Sequence, residues 1–328
     1  MVRSMRAIQI TEPGLDHVIP QNADLPEMKP GDLLVQVKAA SLNPVDYKLA
    51  TNGHPSWQYP HTLGVDGAGE VVQVGSDVQG IEVGAKVFFH ADLARSGSFA
   101  EYIQVDHRAV TRLPKSWSFE EGAALPCAGL TAYQALVRVC GLKAGQTVVI
   151  QGGAGGVGSF AVQIAHALGA RVISTASPAK HELVRSLGAD VVIDYRDQNL
   201  KEQILQAAGG GVDVVLDTVN RASATRSLEL LHPEGQLAFI AGRPEPEAVQ
   251  NLGYRVHVHD VMLGSAHARQ DDAAIRDLSQ MGTELAQLVL DGKVKILISE
   301  QITLEEIPEW LVKLKAGEVP FGKVVARI

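Results

Sequence analysis

Residues 147 to 169 read TVVIQGGAGGVGSFAVQIAHALG, and this stretch narrows the folds open to the chain more than any other. Thr147 to Ile150 form a short β-branched run, and Gly152, Gly153, Gly155, Gly156 and Gly158 follow at once. Val157, Ala161, Ile164, Ala165 and Leu168 then recur at the three- and four-residue steps of an amphipathic helix, which Gly169 can end. The order is strand, glycine turn, helix. Gly153, Gly155 and Gly158 satisfy G-x-G-x-x-G, where missing Cβ atoms permit a tight turn, let a pyrophosphate approach the backbone, and allow the helix to pack closely on the strand. The turn and first helical residues, Gly152, Gly153, Gly155, Gly156, Val157 and Gly158, are the expected phosphate contacts, because a helix N-terminus presents free N–H groups to an anion.

The surroundings support a dinucleotide site over an ordinary loop. Strands are expected near 147–150, 171–175, 191–194, 213–217, 236–241 and 256–263, with helices near 158–168, 178–187, 198–207 and 221–231, which is a doubly wound parallel sheet. Before it, residues 1 to about 121 are β-rich: RAIQI, LLVQVKA, GEVVQVG, AKVFFH, FAEYIQV and AVTRLP are short runs separated by Gly, Pro, Asp and Asn, as in a compact barrel or sandwich. EEGAALPCAGLTAYQALVRVC then turns helical, with Pro126 interrupting and Gly141 closing. After about Gly264 come a helix through Thr283–Leu290, the run KILI, a helix near Leu304–Leu314 and a terminal KVVARI strand. A nucleotide domain does not need this tail, so it is expected to complete the first domain. The predicted division is 1–121 with 284–328, and 122–283.

Composition removes other function classes. A net charge of −8 with no basic block disfavours nucleic acid or an anionic membrane as partner. The two cysteines, Cys127 and Cys140, cannot build a disulfide framework. MVRSMRAIQI lacks a signal-peptide apolar core and no apolar run approaches membrane-spanning length, so cytoplasm is the expected location. His257 and His259, two apart in the alternating run YRVHVHDVML, read as solvated edge-strand residues, since no third metal ligand is recognisable nearby.

SLNPVDYK, HTLGVDGAGEVVQVGSDV, GSFAEYIQV, EEGAALPCAGLTAYQAL, the glycine turn, LGADVVIDYR and the final GKVV together resemble the medium-chain dehydrogenase/reductase superfamily. Within it they resemble the zinc-independent quinone oxidoreductase and enone reductase group. The resemblance implies an α/β protein with a GroES-like β-rich catalytic domain, a Rossmann domain, and a nicotinamide held in a cleft between them. It further implies a homodimer, as the edge strand also suggests. Zinc-dependent members place Cys where this chain has Asn43, and Gly-His-Glu where it has Gly64, Val65 and Asp66. Their third ligand position holds Cys127, but one thiolate and one carboxylate do not make a three-ligand catalytic site, so no metal is expected. Cys127 then reads as a small buried residue near the cofactor.

An NAD site usually carries an acid about twenty residues past the glycine turn; here the second strand ends ARVISTASPAKHE, with none before Glu182. Ser174, Thr175 and Ser177 offer hydroxyls, and Lys180 a cation in the first turn of a helix that Ser177 can cap and Pro178 can start. Such a set suits a 2′-phosphate, so NADPH is expected. The plain alternative makes Ser177 only a cap and Lys180 a solvated residue. By resemblance Tyr195 reaches the same phosphate, Thr131 contacts the nicotinamide side, and Ala241 and Gly242, ending the fifth strand, border the crevice.

Hydride delivery to an isolated carbonyl develops an alkoxide that zinc or a donor must stabilise, whereas attack on an enone or a quinone spreads the charge. The expected substrates are therefore quinones or α,β-unsaturated carbonyls. Candidate catalytic residues lie in NPVDYK: Asn43 for the ribose or substrate carbonyl, Tyr47 as proton donor, Lys48 to orient the oxygen or lower the tyrosine pKa, and Asp46, which otherwise caps the helix. Trp57 and Tyr59 are either pocket aromatics or core. Two other readings stand behind this one: an NADPH-binding sensor or structural protein, and an alcohol dehydrogenase with an atypical metal site, which the missing ligands disfavour.

Overall fold

A computed structural model describes residues Ser4 to Ile328 and divides them into two units. The first runs to Leu130 and resumes over Gly264–Gln287 and Ile296–Ile328; the second comprises Thr131–Leu263 and Leu288–Lys295.

The first unit begins with β1 (Ser4–Ile10), β2 (Val18–Asp24), β3 (Asp32–Ser41), β4 (His61–Thr62), β5 (Asp66–Val74), β6 (Lys86–His90), β7 (Tyr102–Asp106) and β8 (Val110–Arg112). The second carries β9 (Thr147–Gln151), β10 (Arg171–Ala176), β11 (Val191–Asp194), β12 (Val212–Asp217), β13 (Leu231–Phe239) and β14 (His257–Asp260). The chain then returns to the first with β15 (Ile298–Thr303) and β16 (Lys323–Arg327).

In the first unit, β2-β1-β4 form a small sheet and β15-β16-β3-β5-β6-β8 a larger one, with β7 also paired to β3. β3 shows why: Leu33, Val35 and Val37 alternate inward and are fully buried, against Ile8, Phe89, Phe99, Ile103 and Val324. Strand β2 was not expected, because VIPQNAD has little alternation and contains proline. It pairs only with β1, Pro20 opposite Ile8, an edge position that tolerates a missing N–H.

The second unit is the doubly wound sheet, order β11-β10-β9-β12-β13-β14, parallel throughout. Val148, Val149 and Ile150 of β9 have no solvent exposure, the continuous apolar run of a strand covered on both faces. The strand order reverses between β9 and β12, so the ligand crevice of such a sheet lies at their carboxyl ends. The helices expected over 178–187 and 221–231 are each an α-helix, His181–Ser186 and Arg221–Ser227, flanked by a 3₁₀ turn. Among the described residues no helix is long and apolar enough to cross a membrane.

The first unit is discontinuous, with boundaries that differ from those predicted. It keeps residues 122–130 because the Cys127 N–H donates to both oxygens of Asp66 at 3.0 Å. It takes up chain again at Gly264 rather than 284, because the helix expected from Thr283 starts at Asp272. That helix packs on β8: Ser279 Oγ donates to the Val110 carbonyl at 2.8 Å, and a Cβ on Gly282 would stand 2.2 Å from Thr111 Oγ1. The 288–295 segment belongs to the second unit, where Gln163 exchanges side-chain hydrogen bonds with both backbone groups of Lys295.

Candidate active site

In the second unit the glycine turn is built as its spacing requires. Gly152 has φ +80°, which favours glycine, and its N–H donates to Thr175 Oγ1 at 3.1 Å. A Cβ on Gly153 would lie 2.1 Å from Ser174 Oγ, and one on Gly158 would lie 2.1 Å from the Gly152 carbonyl oxygen. Only glycine fits at either place. Gly155 differs: it is exposed, has φ −75°, and its nearest neighbour to an added Cβ is 3.4 Å away. It caps the helix Gly156–Ala167 without a side chain, leaving the first-turn N–H groups of Gly156, Val157 and Gly158 for an anion. This cradle fits a dinucleotide pyrophosphate.

At the carboxyl end of β10 the expected hydroxyl set divides. Ser174 is fully buried and donates to the Ile150 carbonyl at 2.8 Å; Thr175, 1% exposed, donates to Gln151 Oε1 at 2.8 Å. Both hydroxyls are consumed in building the turn, which corrects the expectation that they face a phosphate. Ser177 stands at the cap position of a 3₁₀ turn, Pro178–Lys180, with its side chain making no capping bond, and Lys180 directly precedes the helix His181–Ser186 instead of lying inside it. Tyr195 is 55% exposed, with the Arg196 guanidinium over its ring and Arg196 paired to Asp194 at 3.0 Å. Arg196 was not anticipated; it follows Tyr195 directly in IDYR. Thr131 is buried. Ala241 and Gly242 lie just past the end of β13, and a Cβ on Gly242 would meet the Arg221 nitrogen at 2.5 Å.

In the first unit, the helix Pro44–Asn52 starts with a capping box: Asp46 Oδ2 accepts from the Asn43 N–H at 2.7 Å, and Pro44 supplies a fixed first turn. Asn43 is 2% exposed, and its amide is committed within the protein. Nδ2 donates to the Ser41 carbonyl at 3.1 Å and to Asp66 Oδ2 at 2.9 Å, while Oδ1 accepts from Lys323 Nζ. No donor is left over for a substrate carbonyl, so the expected role of Asn43 as a direct contact gives way to a positioning role. Asp46, 1% exposed, is likewise out of reach; burial above all, with the nearby Asp66 charge adding, pushes its carboxyl up to about 8. Of the four candidates only Lys48 is exposed; Tyr47 is half-buried and packs against the core of the first unit.

Two residues of this centre carried no clear sequence signal. His90, at the end of AKVFFH, places Nδ1 3.0 Å from Asp66 Oδ1. Lys323, the first residue of β16, is 3% exposed, donates to the Leu42 carbonyl at 2.9 Å and lies 4.0 Å from Asp66 Oδ2. The cluster Asp66, His90 and Cys127 brings three ligand-type atoms within 4.8 Å of one another, so the count of two donors is corrected to three. Beside Asp46 a small cavity is lined by Trp57, His61, Thr62, Val65, Leu93 and Arg95. Trp57 stacks on His61 at 4.0 Å and donates from Nε1 to the Leu93 carbonyl at 2.7 Å; Tyr59 lies outside this lining. Burial pushes the His61 imidazole down to about 4, so it is neutral near pH 7.

Comparison with known proteins agrees with this architecture. Residues 29–115 match the alcohol dehydrogenase GroES-like domain family and residues 156–280 the zinc-binding dehydrogenase family. The chain is 33% identical to the zinc-type alcohol dehydrogenase-like protein C16A3.02c of Schizosaccharomyces pombe, over 92% of this chain and 88% of that one. It is 36% identical to the 2-methylene-furan-3-one reductase of Solanum lycopersicum, over 74% of this chain and 63% of that protein. It spans 12% of the Streptomyces orinoci spectinabilin polyketide synthase system protein NorB, at 36% identity over 82% of this chain. Among solved structures, the quinone oxidoreductase of Pseudomonas syringae pv. Tomato superposes with a TM-score of 0.89 at 29% identity, covering 99% of this chain and 100% of that one. The chain therefore belongs to the medium-chain dehydrogenase/reductase superfamily, in its quinone oxidoreductase and enone reductase group.

Proposed function

We propose that this protein is an NADPH-dependent reductase of quinones or α,β-unsaturated carbonyls that works without a metal. The observation that carries the nucleotide part is the cradle at Gly152–Gly158, whose helix N-terminus has unpaired N–H groups and no acidic residue following on β10. The bound nicotinamide would supply a hydride. The glycine turn holds the pyrophosphate through backbone N–H groups. Ser177 and Lys180, at the end of β10, and the exposed Tyr195 are the proposed partners of a 2′-phosphate, with the hydroxyl of Ser177 free of any capping duty.

Tyr47 is the proposed proton donor, and Lys48, the next residue, the proposed cation that orients the substrate oxygen. Asn43 and Asp46 support them from below by fixing the first turn of the helix Pro44–Asn52. A delocalised enolate or phenolate needs little more than such a hydrogen bond, which favours conjugated acceptors over saturated aldehydes.

The test follows NADPH and NADH oxidation by absorbance against a benzoquinone, a naphthoquinone, an alkenal, an alkenone and a saturated aldehyde after chelator treatment. Turnover of conjugated acceptors with NADPH in clear preference to NADH is the expected result. Equal use of NADH overturns the cofactor assignment, and tight NADPH binding without any turnover moves the protein to a binding role.

A further inference from the structure

The GKVV motif near the C-terminus contributes a buried lysine that the proposed chemistry does not use. Lys323 meets the one cluster among the described residues that has metal-ligand chemistry, Asp66, His90 and Cys127. A zinc-binding family name makes the fit of a metal there a fair question, and the hydrogen bonds answer it.

Asp66 has no solvent exposure, and its carboxylate is ringed by donors. Oδ1 accepts from His90 Nδ1 and from the Cys127 N–H, both at 3.0 Å; Oδ2 accepts from Asn43 Nδ2 at 2.9 Å and again from the Cys127 N–H at 3.0 Å. A carboxylate only accepts, so the His90 nitrogen that faces it must carry the proton and offers no lone pair there. The charge is already balanced as well: one carboxylate, one ammonium 4.0 Å away. In this arrangement the residues do not fit a divalent ion.

We propose that the Lys323 ammonium is the resident cation of this centre: it takes the electrostatic place of a metal ion beside Asp66, anchors the Asn43 amide, and excludes divalent ions from the Asp66, His90 and Cys127 cluster. The lysine arrives from the far end of the chain, 280 residues after Asn43, so the centre is complete only when β16 pairs with β3. A compact ammonium suits the role because its protons reach the Leu42 carbonyl and the Asn43 amide oxygen while its charge stays 4.0 Å from the Asp66 carboxylate. A second positive ion placed within the cluster would feel the ammonium at close range in a poorly screening interior, and would have to compete for an acceptor that is already saturated. The proposal stands apart from the choice of nicotinamide, because every group in it belongs to the first unit.

The experiment is a cobalt(II) titration of the full-length protein with no nucleotide present, read by visible d–d absorption and by the near-ultraviolet thiolate-to-cobalt band. Wild type and Lys323→Arg, which keeps the charge, are expected to show neither band. Lys323→Met leaves the Asp66 charge without its counter-ion and Asn43 Oδ1 without its donor, so that a divalent ion can displace the His90 and Asn43 hydrogen bonds to Asp66; the variant is expected to bind one equivalent with both bands, at least roughly a hundredfold more tightly than wild type. Adding Cys127→Ser should then remove the charge-transfer band. Lys323→Gln keeps a donor for Asn43 without the charge and is the second route if the methionine variant folds poorly. Saturable cobalt binding by wild type with these bands overturns the proposal, and so does a charge-free variant with native circular dichroism that takes up no cobalt.

Discussion

Asp46 keeps its proton at neutral pH because burial leaves the charged form without water and the Asp66 charge stands nearby. An acid whose native pKa is raised, here from 3.8 to about 8, holds a proton that the unfolded chain has already lost across that interval. Stability therefore falls as pH rises through the interval, with this group contributing at most about 1.4 kcal/mol per pH unit. Asp46→Asn keeps an acceptor for the Asn43 N–H and cannot ionise, so denaturant melts should show the variant gaining on wild type between pH 5 and pH 8, by about 1–3 kcal/mol. A constant difference across that range would mean that Asp46 is ionised in the native state. At the other site, Lys180→Ala should raise KM for NADPH by roughly tenfold, the loss of one charge-assisted contact, and leave KM for NADH unchanged. Equal effects on both would remove Lys180 from 2′-phosphate recognition. Both residues were identifiable as candidates in the sequence, Lys180 from a missing acid and Asp46 from its place after Asn-Pro. What was hidden was that Ser174 and Thr175 spend their hydroxyls inside the sheet, since a hydroxyl's partner is set by which backbone atom the neighbouring strand brings to it.

The strand β9, the glycine turn and the helix Gly156–Ala167 act as one device, and its glycines have separable duties. Gly158→Ala forces a Cβ to within 2.1 Å of a carbonyl oxygen, so the turn must open. We expect it to lose about 2–4 kcal/mol of stability together with nucleotide affinity. Gly155→Ala meets nothing closer than 3.4 Å and adopts an ordinary φ, so thermal melts should be unchanged within about 0.5 kcal/mol. Its methyl group projects where a phosphate would approach, and NADPH affinity measured by fluorescence should fall at least about tenfold. Retained affinity in Gly155→Ala would show that the phosphates lie elsewhere. The element boundaries were read closely from periodicity, within a residue or two for β9 to β12, because fully buried parallel strands are continuous apolar runs. β2 escaped notice for the opposite reason: an edge strand with one wet face, a proline and few apolar residues looks like a loop until its partner is known.

At the scale of the whole molecule, the chain leaves the first unit at Leu130 and returns to finish it, so β15 and β16 complete a sheet begun more than two hundred residues earlier. Truncation after residue 295 removes β15, β16, the helix Ile307–Ala316 and Lys323. The remaining first-unit segments should be protease-sensitive, with a core that loses Ile307, Leu311 and Val324 and a buried Asp66 left without its counter-ion, whereas the parallel sheet of the second unit should survive digestion. Equal resistance of both units would contradict this dependence. The strand β14 ends the parallel sheet at an open edge, with His257 facing Glu234 and His259 facing Gln236, the position from which a homodimer is expected to form. Sedimentation showing a monomer at every concentration would refute that dimer.

The α/β layer architecture and the strand–turn–helix alternation are written in local spacing, in β-branched runs, helical periodicity and residues without a Cβ. Tertiary structure alone decided which polar groups meet. Asn43, Asp66, His90, Cys127 and Lys323 come from five separate segments, and nothing in the spacing of any one of them tells that the other four surround it. Buried polar atoms must find partners wherever the fold supplies them, so their pairing is a property of strand register and sheet order rather than of the neighbouring residues in the chain.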